Sequence, residues 1–541
     1  MLLRLFIFCL LCSAVLIPSF SAANEAQIWK RSEAQYWHLK VGVDRARGSV
    51  EVLKDSFQIQ KLPELRFSEL PPLEINYVQS GDTWFPRDTG PVIDDHPLWE
   101  YLFGVGRVES VESGDVLLLP ISLMERNENC IHNGILRIPL EKGVARKHGQ
   151  LNIVAETCQY FQWQASWSVP VEVKAGSVMS DGAFLADAWA RLNARLPLAG
   201  MSELVAEQPG VREQKLANAV KIPGDQMSVY GLVLDGTHYL GGCHARGELT
   251  DVCEERFVPS YSTAKSLFAG LALMRLERLY PGARSARIAD YVPECDSERW
   301  GDVTFEHALN MVTGNYISAI ANEDEDHPDL LAQLHLPESH AEKLAFSCSA
   351  YPRRSKPGSR WVYHTSDTYL LGTAMTAFLR EHQGAAADLF EDILQPMWEP
   401  LMLSRATQIT RRTYDDVRQP FAGYGLVYLP DDIARLASAL TAGYFDRLLD
   451  PDMLASAGQG ASVPKGYPAS GSLYYSQGFF ARDMAGLMDC ESSRWLSSMS
   501  GYGGIGVALL GKGDVYYYFS DGGVFDWSAP LAEVHGVRPL C

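Results

Sequence analysis

The 541-residue chain is short of several things, and each shortage removes a class of function. Beyond the first two dozen residues no apolar run reaches the roughly 18 residues that a membrane-spanning helix needs. There is no H-E-x-x-H sequence, and no two cysteines beyond residue 23 form a C-x-x-C pair. The usual spacings of a zinc site are therefore missing, and neither a metal nor a cofactor is expected. Positive charge is scarce: 47 Lys and Arg stand against 66 Asp and Glu, a formal net charge of −19. Such a surface repels phosphate backbones and anionic membranes, which argues against nucleic-acid and lipid-surface partners. Internal repeats and low-complexity tracts are also lacking.

What is present begins with an export signal. Arg4 gives a positive start, Leu5 to Ile17 are almost wholly apolar, and Pro18 breaks the run before Ser21, Ala22 and Ala23. The pattern predicts a signal peptide over 1–23, with a retained N-terminal anchor as the alternative. A periplasmic or secreted protein follows, with no membrane insertion once the signal is removed. Eight cysteines remain after Cys9 and Cys12 are removed, an even number that favours disulfides in an exported chain. Neighbours in sequence suggest the pairs Cys130–Cys158, Cys243–Cys253, Cys295–Cys348 and Cys490–Cys541.

The remaining length is too great for one ordinary core and suggests two domains, divided here into 24–195 and 196–541. In the first, Val116 to Ser122, Gly134 to Leu140 and Ser166 to Val173 are short β-rich segments between turn residues. They predict a β-rich N-terminal domain in which no chemistry is legible. Asp181 to Leu196 reads as a linker and helix, and Val211 to Val220 as a short amphipathic helix. Two strands, Met227 to Leu234 and Thr237 to Leu240, meet at Asp235-Gly236, a hairpin signal. The C-terminus offers strands Ile505 to Leu510 and Val515 to Ser520 and a helix from Ala529 to His535. Strands at both ends with helices between predict an α+β domain. The acidic run Glu323 to Asp326 lacks the glycine and spacing of a calcium loop and reads as a solvated loop.

A long apolar helix is predicted from Ser262 to about Leu279. Ser262 and Lys265 stand three apart and so share a helix face. A lysine among apolar neighbours is costly unless it is used. Burial lowers its pKa and yields an amine able to take the serine proton. The S-x-x-K pattern occurs again at Ser462 and Lys465, but there Pro464, Gly466 and Pro468 exclude a helix.

From this point the residues resemble the serine β-lactamase and penicillin-binding-protein superfamily, particularly its class C-like esterase and 6-aminohexanoate-dimer-hydrolase-like members. The resemblance covers roughly residues 205 to 541. It runs through Val303-Thr304-Phe305 to Thr313-Gly314-Asn315, then through Pro357-Gly358-Ser359-Arg360-Trp361-Val362-Tyr363-His364-Thr365-Ser366-Asp367, and on through Gly423-Tyr424-Gly425-Leu426 and Asp432-Ile433-Ala434-Arg435. It implies a β-lactamase-like fold, an antiparallel sheet flanked by helices with a helical subdomain. It also implies a nucleophile at Ser262 and a Lys265–Tyr363 pair, or a Tyr363 tyrosinate, as general base. Thr365 would offer a hydroxyl to the site. Tyr502-Gly503-Gly504 is the best counterpart of the family's third motif, with the backbone amides of Ser262 and Ile505 forming an oxyanion hole. Tyr502 stands where many relatives carry lysine or histidine, which weakens the case for substrates bearing a carboxylate.

The expectation is therefore a serine hydrolase that cleaves a small-molecule ester or amide through an acyl-enzyme on Ser262. A β-lactamase or D-alanyl-D-alanine peptidase is the first alternative. A catalytically silent binding protein that retains the fold is the second.

Overall fold

The computed structural model describes residues 34–541 apart from 113, 127, 142–143, 177–181, 246–247, 250–251 and 459–465. The expectations placed on 1–23, and on the second S-x-x-K copy at Ser462 and Lys465, lie outside these residues.

Between Phe161 and Ala175 the buried Trp163, Ala165, Trp167 and Val169 alternate with the more open Gln164, Ser166 and Ser168. A period of two gives a strand one apolar face. This strand, β11, closes a barrel whose other members are β1 (Gln35–Val41), β3 (Leu73–Ser80), β4 (Thr83–Pro86), β6 (Gly106–Val111), β7 (Gly114–Glu125), β8 (Ile131–Glu141) and β10 (His148–Thr157). They pair in the cyclic order β1, β3, β4, β6, β7, β8, β10, β11 and back to β1. Three further strands, β2 (Arg47–Asp55), β5 (Trp99–Phe103) and β9 (Val144–Ala145), extend it from β11, β7 and β8. Eight strands leave an interior just wide enough for side chains to fill. Tyr77, Trp84, Trp99, Phe161 and Trp163 are buried here, and His132 packs against both Trp99 and Trp163.

The rest of the described chain is α+β. A nine-stranded sheet runs in the order Leu198–Gly200, Thr237–Gly242, Met227–Leu234, Asp514–Ser520, Ile505–Gly511, Trp495–Gly501, Phe479–Asp483, Leu473–Ser476 and Tyr467–Pro468. The expected hairpin is there, with Asp235 and Gly236 both at positive φ, as a tight primed turn requires. The amphipathic segment near Val211 forms only a four-residue helix, Glu213–Leu216. Helices between residues 263 and 458 cover the sheet. The four cysteine pairs are those read from the sequence.

Barrel and sheet domain meet across a polar seam. Asn133 exchanges two hydrogen bonds of 2.9 Å with the backbone of Phe257. Gln162 donates to Asp521 at 2.7 Å, and Arg195 pairs with Glu255 at 2.5 Å while Glu255 also accepts from the Val105 amide. Buried Arg411 donates to the carbonyls of Glu125 and Glu128, fixing the loop between β7 and β8 against the sheet domain. This loop proves to matter most.

Candidate active site

The segment that carries Ser262 begins with strain. Tyr261 has φ +38, a region that L-residues with side chains rarely occupy. It is held from three directions. Its amide donates to the Asn129 side-chain oxygen at 2.7 Å, and Ser260 Oγ donates to the same atom at 3.3 Å. Ser260 also exchanges bonds with the backbone of Leu426. The Tyr261 hydroxyl donates to Cys130 Sγ, which is half of a disulfide and has no proton to give. Asn129 and Cys130 lie on the β7–β8 loop of the barrel. The domain in which the sequence showed no chemistry therefore supplies the clamp beneath Ser262.

Beyond Ser262 the chain winds as a wide π-turn over Lys265–Gly270 before continuing as the α-helix Leu271–Leu279, so the expected helix is present with a different first half. Such turns cluster at functional sites. A turn at Gln477 and Gly478 presses on this stretch. Ser266 Oγ donates to Gly478 O at 2.5 Å, and a side chain at Gly478 would strike Lys265 O.

Lys265 is 1% exposed. Its three N–H groups go to Ser262 Oγ at 2.9 Å, Thr365 Oγ1 at 2.9 Å and Gly423 O at 3.3 Å. Burial lowers its pKa to about 8, against the opposing pull of Glu325. The Tyr363 ring lies 5.0 Å from Lys265 Nζ, and its phenol hydrogen-bonds Ser262. Burial pushes the Tyr363 pKa far up, and Glu325 and Tyr475 push it further. A tyrosinate is thus disfavoured here.

The acidic run is not the solvated loop that its composition suggested. Asp324 is 4% exposed; it accepts from the amides of Ile317 and Ser318 and from His364 Nε2 at 3.0 Å. Glu325 accepts from the Thr365 amide at 2.8 Å and from the Thr365 hydroxyl. Its carboxylate caps the 19-residue helix Thr365–Gln383, at the end where the macrodipole favours negative charge. The hydroxyl proton of Thr365 is therefore committed to Glu325, and Thr365 does not offer it to a substrate as expected. His364 lies between Asp324 and Asp367 and stacks on Tyr351 with ring centroids 4.0 Å apart. Burial alone would lower the His364 pKa, but Asp367 and Asp324 raise it to about 9.

The third motif needs correction. Gly503 and Gly504, at φ +87 and +99, make the turn between Trp495–Gly501 and Ile505–Gly511, and face Ser520 and Val524. Their conformational freedom serves the turn. Ile505 is fully buried and pairs across the hairpin with Gly501. Gly501 lies against the segment that carries Ser262: an added Cβ there would lie 3.0 Å from Ser260 O and 3.2 Å from Tyr261 Cβ. Tyr502 is 43% exposed, with its ring 5.6 Å from that of Tyr261. Burial, Glu128 and Asp326 raise its pKa.

A family model described as Beta-lactamase matches residues 238–524, more than half of the chain. The chain belongs to the Beta-lactamase family. Its members are hydrolases, and so is this chain. No curated protein matches it. Among solved structures, a 6-aminohexanoate-dimer hydrolase from Bacillus anthracis is 16% identical, with 63% of this chain and 84% of that one covered and a TM-score of 0.42. A D-stereospecific amidohydrolase from Streptomyces sp. is 16% identical over 60% and 98%, with a TM-score of 0.43. EstCE1, a hydrolase with promiscuous acyltransferase activity, is 16% identical over 59% and 97%, with a TM-score of 0.43. The Beta-lactamase-family match begins at residue 238, beyond the barrel strands, which end at Ala175.

Two expectations follow from the geometry. Asn129→Ala leaves the Tyr261 amide buried without an acceptor, which costs about 1–3 kcal/mol. Urea denaturation measures that loss, and turnover falls by more than the stability change explains. His364→Leu leaves the buried Asp324 and Asp367 without their cationic partner, a loss of about 3–5 kcal/mol near neutral pH. The native histidine's folded pKa is raised, so its stabilising charge is complete below its unfolded pKa and disappears as pH rises through about 9. Urea midpoints at pH 7 and pH 10 should show the gap between native and variant narrowing at the higher pH.

Proposed function

We propose that the protein is an exported serine hydrolase that cleaves a small ester or neutral amide through an acyl-enzyme on Ser262. The observation that carries this reading is the buried Lys265 amine, 2.9 Å from Ser262 Oγ with its pKa lowered to about 8. Lys265 takes the Ser262 proton as the oxygen attacks the carbonyl carbon. Tyr363 relays a proton to the leaving group, and water then hydrolyses the ester on Ser262. The amide of Ser262 stabilises the oxyanion, where one donor is worth about 10²–10³ in rate. Four disulfides support an extracellular or periplasmic location. No helix of the described residues is long and apolar enough to cross a membrane.

The electrostatics near Tyr502 favour substrates without a carboxylate beside the scissile bond. The charged groups acting on its phenol are Glu128 and Asp326, neither a cation. A neutral hydrogen bond nets about 0.5–1.5 kcal/mol, against about 1.5–3 for one to a charged group. Short-chain aryl esters should be turned over at least as well as any penicillin, with kcat/KM for both deciding the matter. Tyr502→Lys should move the ratio towards penicillins. Mass spectrometry after fluorophosphonate treatment should find the adduct on Ser262 and none on the Ser262→Ala protein. An adduct on another residue refutes the assignment.

A further inference from the structure

Three acceptors surround the Lys265 amine, Ser262 Oγ, Thr365 Oγ1 and Gly423 O, so that as an ammonium it has all three protons accepted. A base must first lose one of them. The Gly423 carbonyl leads nowhere, and Ser262 is the group to be deprotonated. Only Thr365 continues: its oxygen accepts from Lys265, and its own hydroxyl donates to Glu325 Oε1. Glu325 Oε2 is held by the Thr365 amide at 2.8 Å, which fixes the carboxylate on the hydroxyl. Lys265 and Thr365 are buried, whereas Glu325 is only half-buried and borders solvent. A single file of donors and acceptors thus runs from the buried amine to the surface.

We propose that Thr365 and Glu325 form the proton exit that converts Lys265 from ammonium to amine before acylation. This rests on Ser262 being the nucleophile. One N–H bond of Lys265 breaks as an O–H bond forms on Thr365 Oγ1; the original Thr365 O–H breaks, and its proton goes to Glu325 Oε1. The ion pair becomes a neutral amine and a carboxylic acid, which passes the proton to bulk water. Lys265 then accepts the Ser262 proton as the Oγ–acyl bond forms. Thr365 and Glu325 act through Lys265 and are positioning residues, not groups that touch the reacting carbon.

The groups facing Lys265 are Ser262, Tyr363, Thr365, Glu325 and, at longer range, His335; those facing Glu325 are Lys265, Thr365, Tyr363, Tyr351 and His364. The test is the rate of fluorophosphonate labelling of Ser262 between pH 5 and 10, with aryl-ester kcat/KM alongside. Glu325 opposes the lowering of the Lys265 pKa, so Glu325→Gln should move the acidic limb to lower pH. It should also reduce the plateau by about 10²-fold, within the range that positioned proton transfer contributes. Thr365→Val should match that loss, and Thr365→Ser, which keeps the hydroxyl, should recover at least a third of the native rate. The proposal is overturned if Glu325→Gln keeps a native plateau and limb, or if Thr365→Ser fails as completely as Thr365→Val. If Glu325→Gln does not fold, the Thr365 pair decides alone. A native protein that is not labelled at Ser262 overturns the acyl-enzyme reading itself; labelling of native and Glu325→Gln at equal rates overturns the relay only.

Discussion

One side-chain oxygen, that of Asn129, receives the Tyr261 amide and so holds the strained backbone on which Ser262 stands. A residue at φ +38 stays there only when its surroundings over-determine it. Those surroundings come mostly from the barrel. Arg411 anchors the loop through two of its carbonyls, and the Cys130–Cys158 bond ties its end to the turn that follows β10. The Tyr261 hydroxyl rests on that same sulfur. The N-terminal barrel thus reaches the segment that carries Ser262 and holds the backbone from which its side chain projects.

Two buried lysines show how acceptors, more than burial, decide what an ammonium does. Lys343 is fully enclosed, and burial lowers its pKa to about 7, below that of Lys265. Yet Lys343 donates to the carbonyls of Leu334 and His335, where a helical turn ends, and packs over the Phe421 ring. These are fixed acceptors with no hydroxyl among them, so Lys343 serves to satisfy a helix end. Lys265 has comparable burial but faces two hydroxyls, each able to pass a proton on. The chemistry lies in what surrounds the amine.

The fold class, the hairpin at Asp235-Gly236 and the juxtaposition of Ser262 with Lys265 were legible because each is local. Period-two alternation, turn residues and an i,i+3 spacing all act within a few residues. Closure of the barrel was not legible, because β7 must pair with both β6 and β8 and strand periodicity carries no record of partners. Asn129 was hidden for the same reason: nothing in Glu128-Asn129-Cys130 points to a backbone amide 132 residues further along the chain. Glu325 was misread because a charge run usually faces water, whereas here Asp324 and Glu325 turn inward to unpaired amides and to His364. Gly503 and Gly504 were read as ligand-facing because glycines suited to a ligand's approach are equally those that a tight hairpin demands.

The clamp on Tyr261 also orders events in time. The groups that make the site come from positions 129, 262, 325, 363 and 501, and the sheet closes only when Asp514–Ser520 inserts between its N-terminal hairpin and Ile505–Gly511. During synthesis the barrel strands emerge first and the central strand almost last. Until that strand is seated, the N-terminal hairpin and Ile505–Gly511 lack the partner that joins them, so the two halves of the sheet come together last.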